Sequence, residues 1–178
     1  IKDSLKYAVT KLIPGIMGLL AVIVFIRMIG LEEYGKYSIQ LSFLIAFSAF
    51  SIGWLNQSTL RYYSKYQTAT LLSRVFGVGI LVSILFGLVV LGIASQYSIF
   101  DSLTGSGSLI GTILFVAFCA FQFLSTLFRA QLKPNNVMVI TAVQSILGLL
   151  LPIILFSMFG QSHRLLLIGL AISYCTPP

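Results

Sequence analysis

Three arginines stand at the ends of long apolar segments that contain no carboxylate. Arg27 closes the first segment, and Arg61 and Arg129 follow the second and the fourth. A planar guanidinium group binds phosphate through two parallel hydrogen bonds, so these arginines are suited to an anionic, phosphate-bearing ligand. Arginines that set topology and contact lipid headgroups would occupy the same positions. Both interpretations stay open at this point.

Uncharged polar and aromatic side chains recur at helical spacing in three of the segments. At about 100° per residue, each set falls within one sector of its helix. The sets are Gln40, Phe47, Ser51, Trp54, Ser58 and Arg61; then Phe115, Phe118, Gln122, Ser125, Thr126 and Arg129; and then Thr141, Gln144, Ser145, Gly148 and Pro152. Polar groups are costly in lipid, so such sectors face protein or water. They indicate either hydrogen bonds between helices or the lining of a shared cavity.

The elements that carry these side chains are long enough to cross a bilayer. The chain has 178 residues, of which 58% are hydrophobic and 8% are charged, whereas soluble domains have about 25% charged residues. A spanning helix needs roughly 20 apolar residues. Helices are predicted near residues 9–29, 37–60, 75–96, 109–132, 137–159 and 165–178, with the last one truncated. The expected fold is all-α, a polytopic transmembrane bundle of about six spans with no soluble domain.

Small residues and prolines predict how some of these helices pack. Gly79, Ser83 and Gly87 recur every four residues and predict a groove for a closely packed neighbour. Pro14 and Pro152 each remove a backbone hydrogen bond and permit a kink.

The basic residues predict the orientation of the chain. With a cytoplasmic N-terminus, eight of the eleven Lys and Arg fall on the inner side, and only Arg27, Lys36 and Arg164 fall on the outer side. Cytoplasmic loops carry the excess of basic residues, so the N-terminus is expected inside. The net charge of +7 is explained in the same way. No nucleic-acid partner is expected.

The remaining reactive residues do not suggest catalysis or metal binding. Cys119 and Cys175 lie in apolar runs, where a thiol behaves as a small hydrophobic group. The single histidine, His163, has no acidic residue near it in the sequence, and catalysis needs a positioned acid, base or nucleophile. We therefore expect no enzyme activity, no catalytic residue, no metal and no cofactor.

One segment resembles a known family. The residues from Arg27 to Tyr37, RMIGLEEYGKY, resemble the first-loop pattern R-x-x-G-x-x-x-Y-G-x-Y of Wzx-type polysaccharide flippases. These flippases belong to the multidrug/oligosaccharidyl-lipid/polysaccharide exporter superfamily. Gly53, Asn56, Gln57 and Arg61 are similar to the end of that family's second helix. The order of spans and the loop lengths also fit, so the resemblance covers the whole chain.

The resemblance implies the N-terminal lobe of a two-lobe exporter that works by alternating access. Its substrate would be an oligosaccharide on polyprenyl pyrophosphate, moved to the outer leaflet of a bacterial inner membrane for polysaccharides such as O-antigen. Membrane lipids and a polysaccharide polymerase or chain-length regulator are the other implied partners. The residues expected to bind substrate are Arg27, Gln40, Trp54, Gln57, Arg61, Gln122, Arg129 and Gln144.

Three other functions are alternatives to the flippase. A multidrug or organic-cation exporter of the same superfamily would use a buried carboxylate, and the apolar segments contain none. An enzyme of polysaccharide assembly would need catalytic groups and, typically, a large extramembrane loop. A passive scaffold is the third alternative. The sequence favours the flippase.

Overall fold

The computed structural model describes residues 2–65, 70–96, 106–159 and 163–176. These residues form six α-helices and one 3-10 turn, Tyr63–Lys65, with no strand among them. The all-helical prediction is therefore confirmed for this part of the chain. The helices are α1 Lys2–Ile29, α2 Leu31–Tyr62, α3 Thr70–Gln96, α4 Ser106–Ala130, α5 Pro134–Phe159 and α6 His163–Cys175.

In the part of the chain that the structure describes, four helical segments are long and apolar enough to cross a membrane. They are Lys11–Ile29, Leu31–Tyr62, Ile110–Ala130 and Asn135–Met158. Each reaches the roughly 20 residues that a hydrocarbon core requires. Among the described residues, α3 and α6 contribute shorter apolar stretches, Phe76–Val89 and Leu165–Cys175. A bundle of six spans stays a prediction.

The turn between α1 and α2 is shorter than the sequence suggests. The sequence predicts helices over residues 9–29 and 37–60, but α2 begins at Leu31, and Gly30 alone separates the two helices. Gly30 has a φ of 84°, which a residue without a side chain adopts readily. Glu32 and Glu33 then lie in the first turn of α2, where negative charge is favourable. Lys36 pairs with both at 3.0 and 2.7 Å.

The chain divides into two compact units. The first unit comprises Ile1–Ser42 and Pro134–Pro178, and the second comprises Phe43–Lys133. The first unit therefore contains α1, the start of α2, α5 and α6. The second contains the rest of α2 together with α3 and α4. The prediction of one transmembrane lobe is not tested by this division.

In the first unit, α5 packs against both α1 and α6. α6 lies close to α5 at Gly169, where a Cβ would lie 2.8 Å from both Cγ and N of Pro152. Pro152 is fully buried there. A helix that lacks a side chain at this position can therefore lie directly on the proline ring and its backbone.

In the second unit, the predicted groove on α3 is confirmed. A Cβ at Gly79 would lie 2.8 Å from Cδ1 of Leu55 on α2. Between the two glycines, the hydroxyl of Ser51 donates a hydrogen bond to the backbone oxygen of Ser83. Phe115 of α4 packs against Gly87. Because these residues of α3 are small, α2 and α4 can both pack closely against its backbone.

We expect Gly87→Ala to destabilise the second unit. Its Cβ would lie 2.6 Å from Cε1 of Phe115, whose ring is completely buried, and 2.9 Å from the hydroxyl of Ser51. Overpacking of this kind costs about 1–3 kcal/mol. Thermal unfolding of the detergent-solubilised protein, followed by circular dichroism, should show a midpoint lower by several degrees.

The matched control is Gly77→Ala on the same helix, where a Cβ would meet nothing within 4 Å. Alanine is the better helix former, so this variant should be neutral or slightly more stable. Equal midpoints for the two variants would contradict the packing described at Gly87.

Candidate functional site

A cavity of about 330 Å³ lies within the first unit. One turn after another of α1, from Pro14 to Phe25, forms an apolar wall. The polar lining comes from the other three helices of the unit. It consists of Tyr34 and Tyr37 on α2, Gln144 and Ser145 on α5, and Tyr174 on α6.

Local structure holds the aromatic rings of this cavity in place. The turn at Gly30 starts α2 early enough to put Tyr34 and Tyr37 on successive turns of one helix. Their ring centroids are 5.8 Å apart. Phe25 of α1 meets the Tyr37 ring edge-on, with centroids 6.3 Å apart and planes at 88°. Contacts of this geometry are favourable between aromatic rings and fix their orientation.

The amide of Gln144 joins α5 to α6 within the lining of this cavity. Gln144 and the hydroxyl of Tyr174 form a hydrogen bond. Gly148 lies one turn further along α5, and a Cβ at this position would be at ordinary contact distance from Ser173 and Gln144. Since both groups line the cavity, the pair presents hydrogen-bonding atoms on an otherwise largely apolar surface.

None of the described residues that line this cavity is charged. The surface offers ring faces, phenol hydroxyls and one carboxamide. A largely apolar pocket with a few placed polar groups is typical of small-ligand sites. The chemistry suits an uncharged ligand that presents both hydroxyl groups and apolar C–H surface.

A second cavity, of about 220 Å³, lies within the second unit. Its polar lining includes three carboxamides, those of Asn56 and Gln57 on α2 and of Gln122 on α4. The Oδ1 atom of Asn56 is buried and has no hydrogen-bond partner among the described residues. No charged residue belongs to the described lining of this cavity either.

Many hydroxyl groups of the predicted polar stripes bond within their own helices. Thr126 donates to the backbone oxygen of Gln122, Thr141 to that of Val137, and Ser145 to that of Thr141. Hydroxyls commonly bond to the preceding helical turn in this way. Their donors are therefore used locally. The carboxamides and tyrosines are left as the main ligand-facing groups of the two cavities.

The structure distributes the predicted glutamines over both cavities. Gln144 lines the first, and Gln57 and Gln122 line the second. Gln40 is buried on α2 but lies outside both linings. Trp54 is 54% exposed and also lies outside them. The polar stripe predicted on α2 therefore contains both buried and exposed side chains.

None of the three arginines that were expected to bind phosphate lines either cavity. Arg27 and Arg61 are exposed, and Arg129 is half-buried. The guanidinium carbon of Arg61 lies 5.6 Å from the ring centroid of Tyr62. Their role in binding phosphate stays a prediction.

The sequence did not single out the three cavity tyrosines as ligand contacts. Tyr34 and Tyr37 both belong to the family pattern, and Tyr34 also lies between the predicted helices 9–29 and 37–60. Tyr174 lies near the end of α6, away from any predicted stripe. Apart from the family pattern at Tyr34 and Tyr37, their signal in the sequence is that each is a polar aromatic residue beside an apolar segment.

Among the described residues, no three His, Cys, Asp or Glu side chains are grouped so as to hold a metal ion. A scan against models of protein families and comparisons with curated proteins and with solved structures give no match for this chain. The flippase resemblance of the Arg27–Tyr37 segment therefore stays a prediction. The described residues thus form a helical fold with four helices of membrane-spanning length and two cavities whose described linings are uncharged.

Proposed function

We propose that the chain is a membrane transporter, a flippase that moves polyprenyl-pyrophosphate-linked oligosaccharide from the inner to the outer leaflet for surface polysaccharide synthesis. The observation that carries this proposal is the cavity of the first unit, whose described lining combines tyrosine rings and a carboxamide without charge. The sequence resemblance to Wzx-type flippases supports the same reading.

The uncharged lining matches the sugar part of such a substrate. Each sugar hydroxyl that leaves water needs a new hydrogen bond, because an unsatisfied buried polar group costs about 1–3 kcal/mol. Gln144 and the hydroxyls of Tyr37 and Tyr174 supply such bonds. The C–H faces of a sugar ring are apolar and pack on aromatic rings. These contacts are needed most while the sugar crosses the membrane, because the lipid offers it no hydrogen bonds.

The pyrophosphate is assigned to the arginines at the helix ends. Arg27 and Arg61 are exposed and belong to helices of membrane-spanning length. A guanidinium group at the membrane surface binds phosphate oxygens through charge-assisted hydrogen bonds. The sugar would thus be bound by uncharged groups and the pyrophosphate by cationic ones.

The rest of the proposal concerns the cycle and its setting. The chain would form one lobe of a two-lobe exporter in a bacterial cytoplasmic membrane, with its N-terminus inside. Alternating access requires the substrate, and any coupling ion, to bind the inward and outward states with different affinity. A polysaccharide polymerase or chain-length regulator would act on the exported product. An organic-cation exporter is less well supported, because the described cavity linings contain no carboxylate.

A vesicle assay tests the proposal. The complete two-lobe exporter that contains this chain is reconstituted into liposomes that contain a polyprenyl-pyrophosphate-linked oligosaccharide with a fluorescent label, and dithionite then bleaches the label in the outer leaflet. Bleaching should proceed beyond the outer-leaflet fraction in vesicles with protein and stop there in empty vesicles. Identical traces for both would overturn the proposal.

We expect the charge reversals Arg27→Glu and Arg61→Glu to slow translocation at least tenfold in this assay. A carboxylate at either position would repel the pyrophosphate and remove the guanidinium donors. The matched control is Lys133→Glu in the exposed turn after α4, which should translocate at the normal rate. Normal rates for both arginine variants would refute the assignment of the arginines to the pyrophosphate.

A further inference from the structure

The lining of the cavity in the second unit combines three carboxamides with an apolar surface. Asn56, Gln57 and Gln122 provide the amide groups, and Ile45, Ala49 and Ile52 provide the apolar surface. α2 supplies every one of these residues except Gln122, which comes from α4. Both helices belong to the same compact unit.

One acceptor in this cavity is left without a donor. Oδ1 of Asn56 is buried and makes no hydrogen bond among the described residues. A buried acceptor without a partner costs about 1–3 kcal/mol. Ser48 also lines the cavity, but its hydroxyl proton is already donated to the backbone oxygen of Ile45, 2.7 Å away. A bound molecule with an N–H group would supply the missing donor to Asn56.

The other two carboxamides of the cavity can donate hydrogen bonds. The side-chain amides of Gln57 and Gln122 each carry two N–H donors. A ligand group that suits the whole set therefore has an N–H for Asn56 and, close to it, an oxygen acceptor for a glutamine. A secondary amide has both. It is also uncharged, as are all the described residues of the lining.

The apolar wall distinguishes an amide from a pair of hydroxyls. Two neighbouring sugar hydroxyls also provide a donor and an acceptor, but they carry no methyl group. Ile45, Ala49 and Ile52 present a surface on which a methyl group gains free energy by leaving water. An acetamido group combines the amide with such a methyl group in one compact substituent.

We infer that the second cavity binds the acetamido group of an N-acetylated sugar, with Asn56 accepting its N–H, a glutamine amide donating to its carbonyl oxygen, and the apolar wall covering its methyl group. This inference rests on the proposed function, since it specifies which sugars the transported oligosaccharide contains. It adds a recognition site within the second unit to the one described in the first.

Saturation-transfer difference NMR tests the inference directly. The protein is placed in phosphatidylethanolamine/phosphatidylglycerol nanodiscs, and two probes are compared, methyl 2-acetamido-2-deoxy-β-D-glucopyranoside and methyl β-D-glucopyranoside. They differ only in the substituent at C2. With the first probe, the acetamido methyl protons should receive the strongest saturation. The second probe should give a signal at least fivefold weaker.

Variants assign the signal to this cavity. Asn56→Leu and Gln122→Leu remove one amide each, and either should reduce the acetamido signal at least fivefold. Gln57→Leu provides a third variant at an exposed position, where folding is least at risk. Gln131→Leu, the same change outside both cavity linings, is the matched control and should leave the signal intact. Circular dichroism establishes that each variant is folded.

The outcomes separate this inference from the proposed function. Equal signals from both probes, or no signal from either, would overturn the inference about the acetamido group. Translocation of a lipid-linked oligosaccharide without such a preference would leave the flippase standing. A clear acetamido preference without translocation in vesicles would support the site and contradict the flippase.

Discussion

Gln144→Leu should slow translocation of the lipid-linked oligosaccharide about tenfold or more while leaving the protein folded in the membrane. Gln144 lines the cavity of the first unit and is hydrogen-bonded to Tyr174. Leucine has a similar size and fills the same space, but it leaves a sugar hydroxyl without its partner. A lost partner in a buried site costs about 1–3 kcal/mol, and 1.4 kcal/mol corresponds to a factor of ten.

Two further variants show whether this loss comes from the cavity. Gln131→Leu makes the same chemical change outside both cavity linings and should translocate normally. Tyr174→Phe removes one hydroxyl and should give a smaller loss than Gln144→Leu. Tyr62→Phe, at an exposed tyrosine, should have no effect. Normal translocation by Gln144→Leu would remove the cavity from the transport path.

Gly169→Ala should strongly destabilise the packing of α6 on α5. A Cβ at this position would lie 2.8 Å from the backbone nitrogen and 3.0 Å from Cα of Pro152. A backbone cannot move aside as a flexible side chain can, so the helices must separate. We expect a cost of about 1–3 kcal/mol, measured as a lower thermal midpoint and a lower yield of folded protein.

Gly148→Ala on α5 is the matched control for this change. Its Cβ would meet Ser173 Oγ at 3.6 Å and Gln144 Nε2 at 3.7 Å, which are ordinary contact distances. This variant should keep the normal midpoint, because nothing has to move. If Gly169→Ala were as stable as Gly148→Ala, the close contact between α6 and Pro152 would be wrong.

The helices could be predicted because their signal is local. Apolar runs of bilayer length and the small residues of α3 follow from composition and period alone, and the structure places Leu55 and Phe115 at Gly79 and Gly87. The start of α2 could not be predicted, because residue types such as those of Gly30, Glu32 and Glu33 favour a turn. A single positive-φ glycine was sufficient, and the acidic residues stabilise the first turn of the helix instead.

The cavities could be predicted only in part, because they depend on which helices are neighbours. The glutamines were found by the rule that polar groups avoid lipid, and Gln144, Gln57 and Gln122 do line cavities. The rule could not show that Gln144 and the other two belong to different cavities. It also could not find Tyr34 or Tyr174, which lie outside the stripes and reach the cavity through the packing of α2 and α6.

Photo-crosslinking tests most directly whether the cavity of the first unit holds the sugar. A polyprenyl-pyrophosphate-linked oligosaccharide with a diazirine on its sugar is added to the reconstituted protein, irradiated, and mapped by mass spectrometry. We expect crosslinks to cavity residues such as Tyr34, Gln144 and Tyr174, and their loss in Gln144→Leu. Crosslinks confined to exposed apolar positions such as Leu19 and Met158 would contradict the proposed role of this cavity.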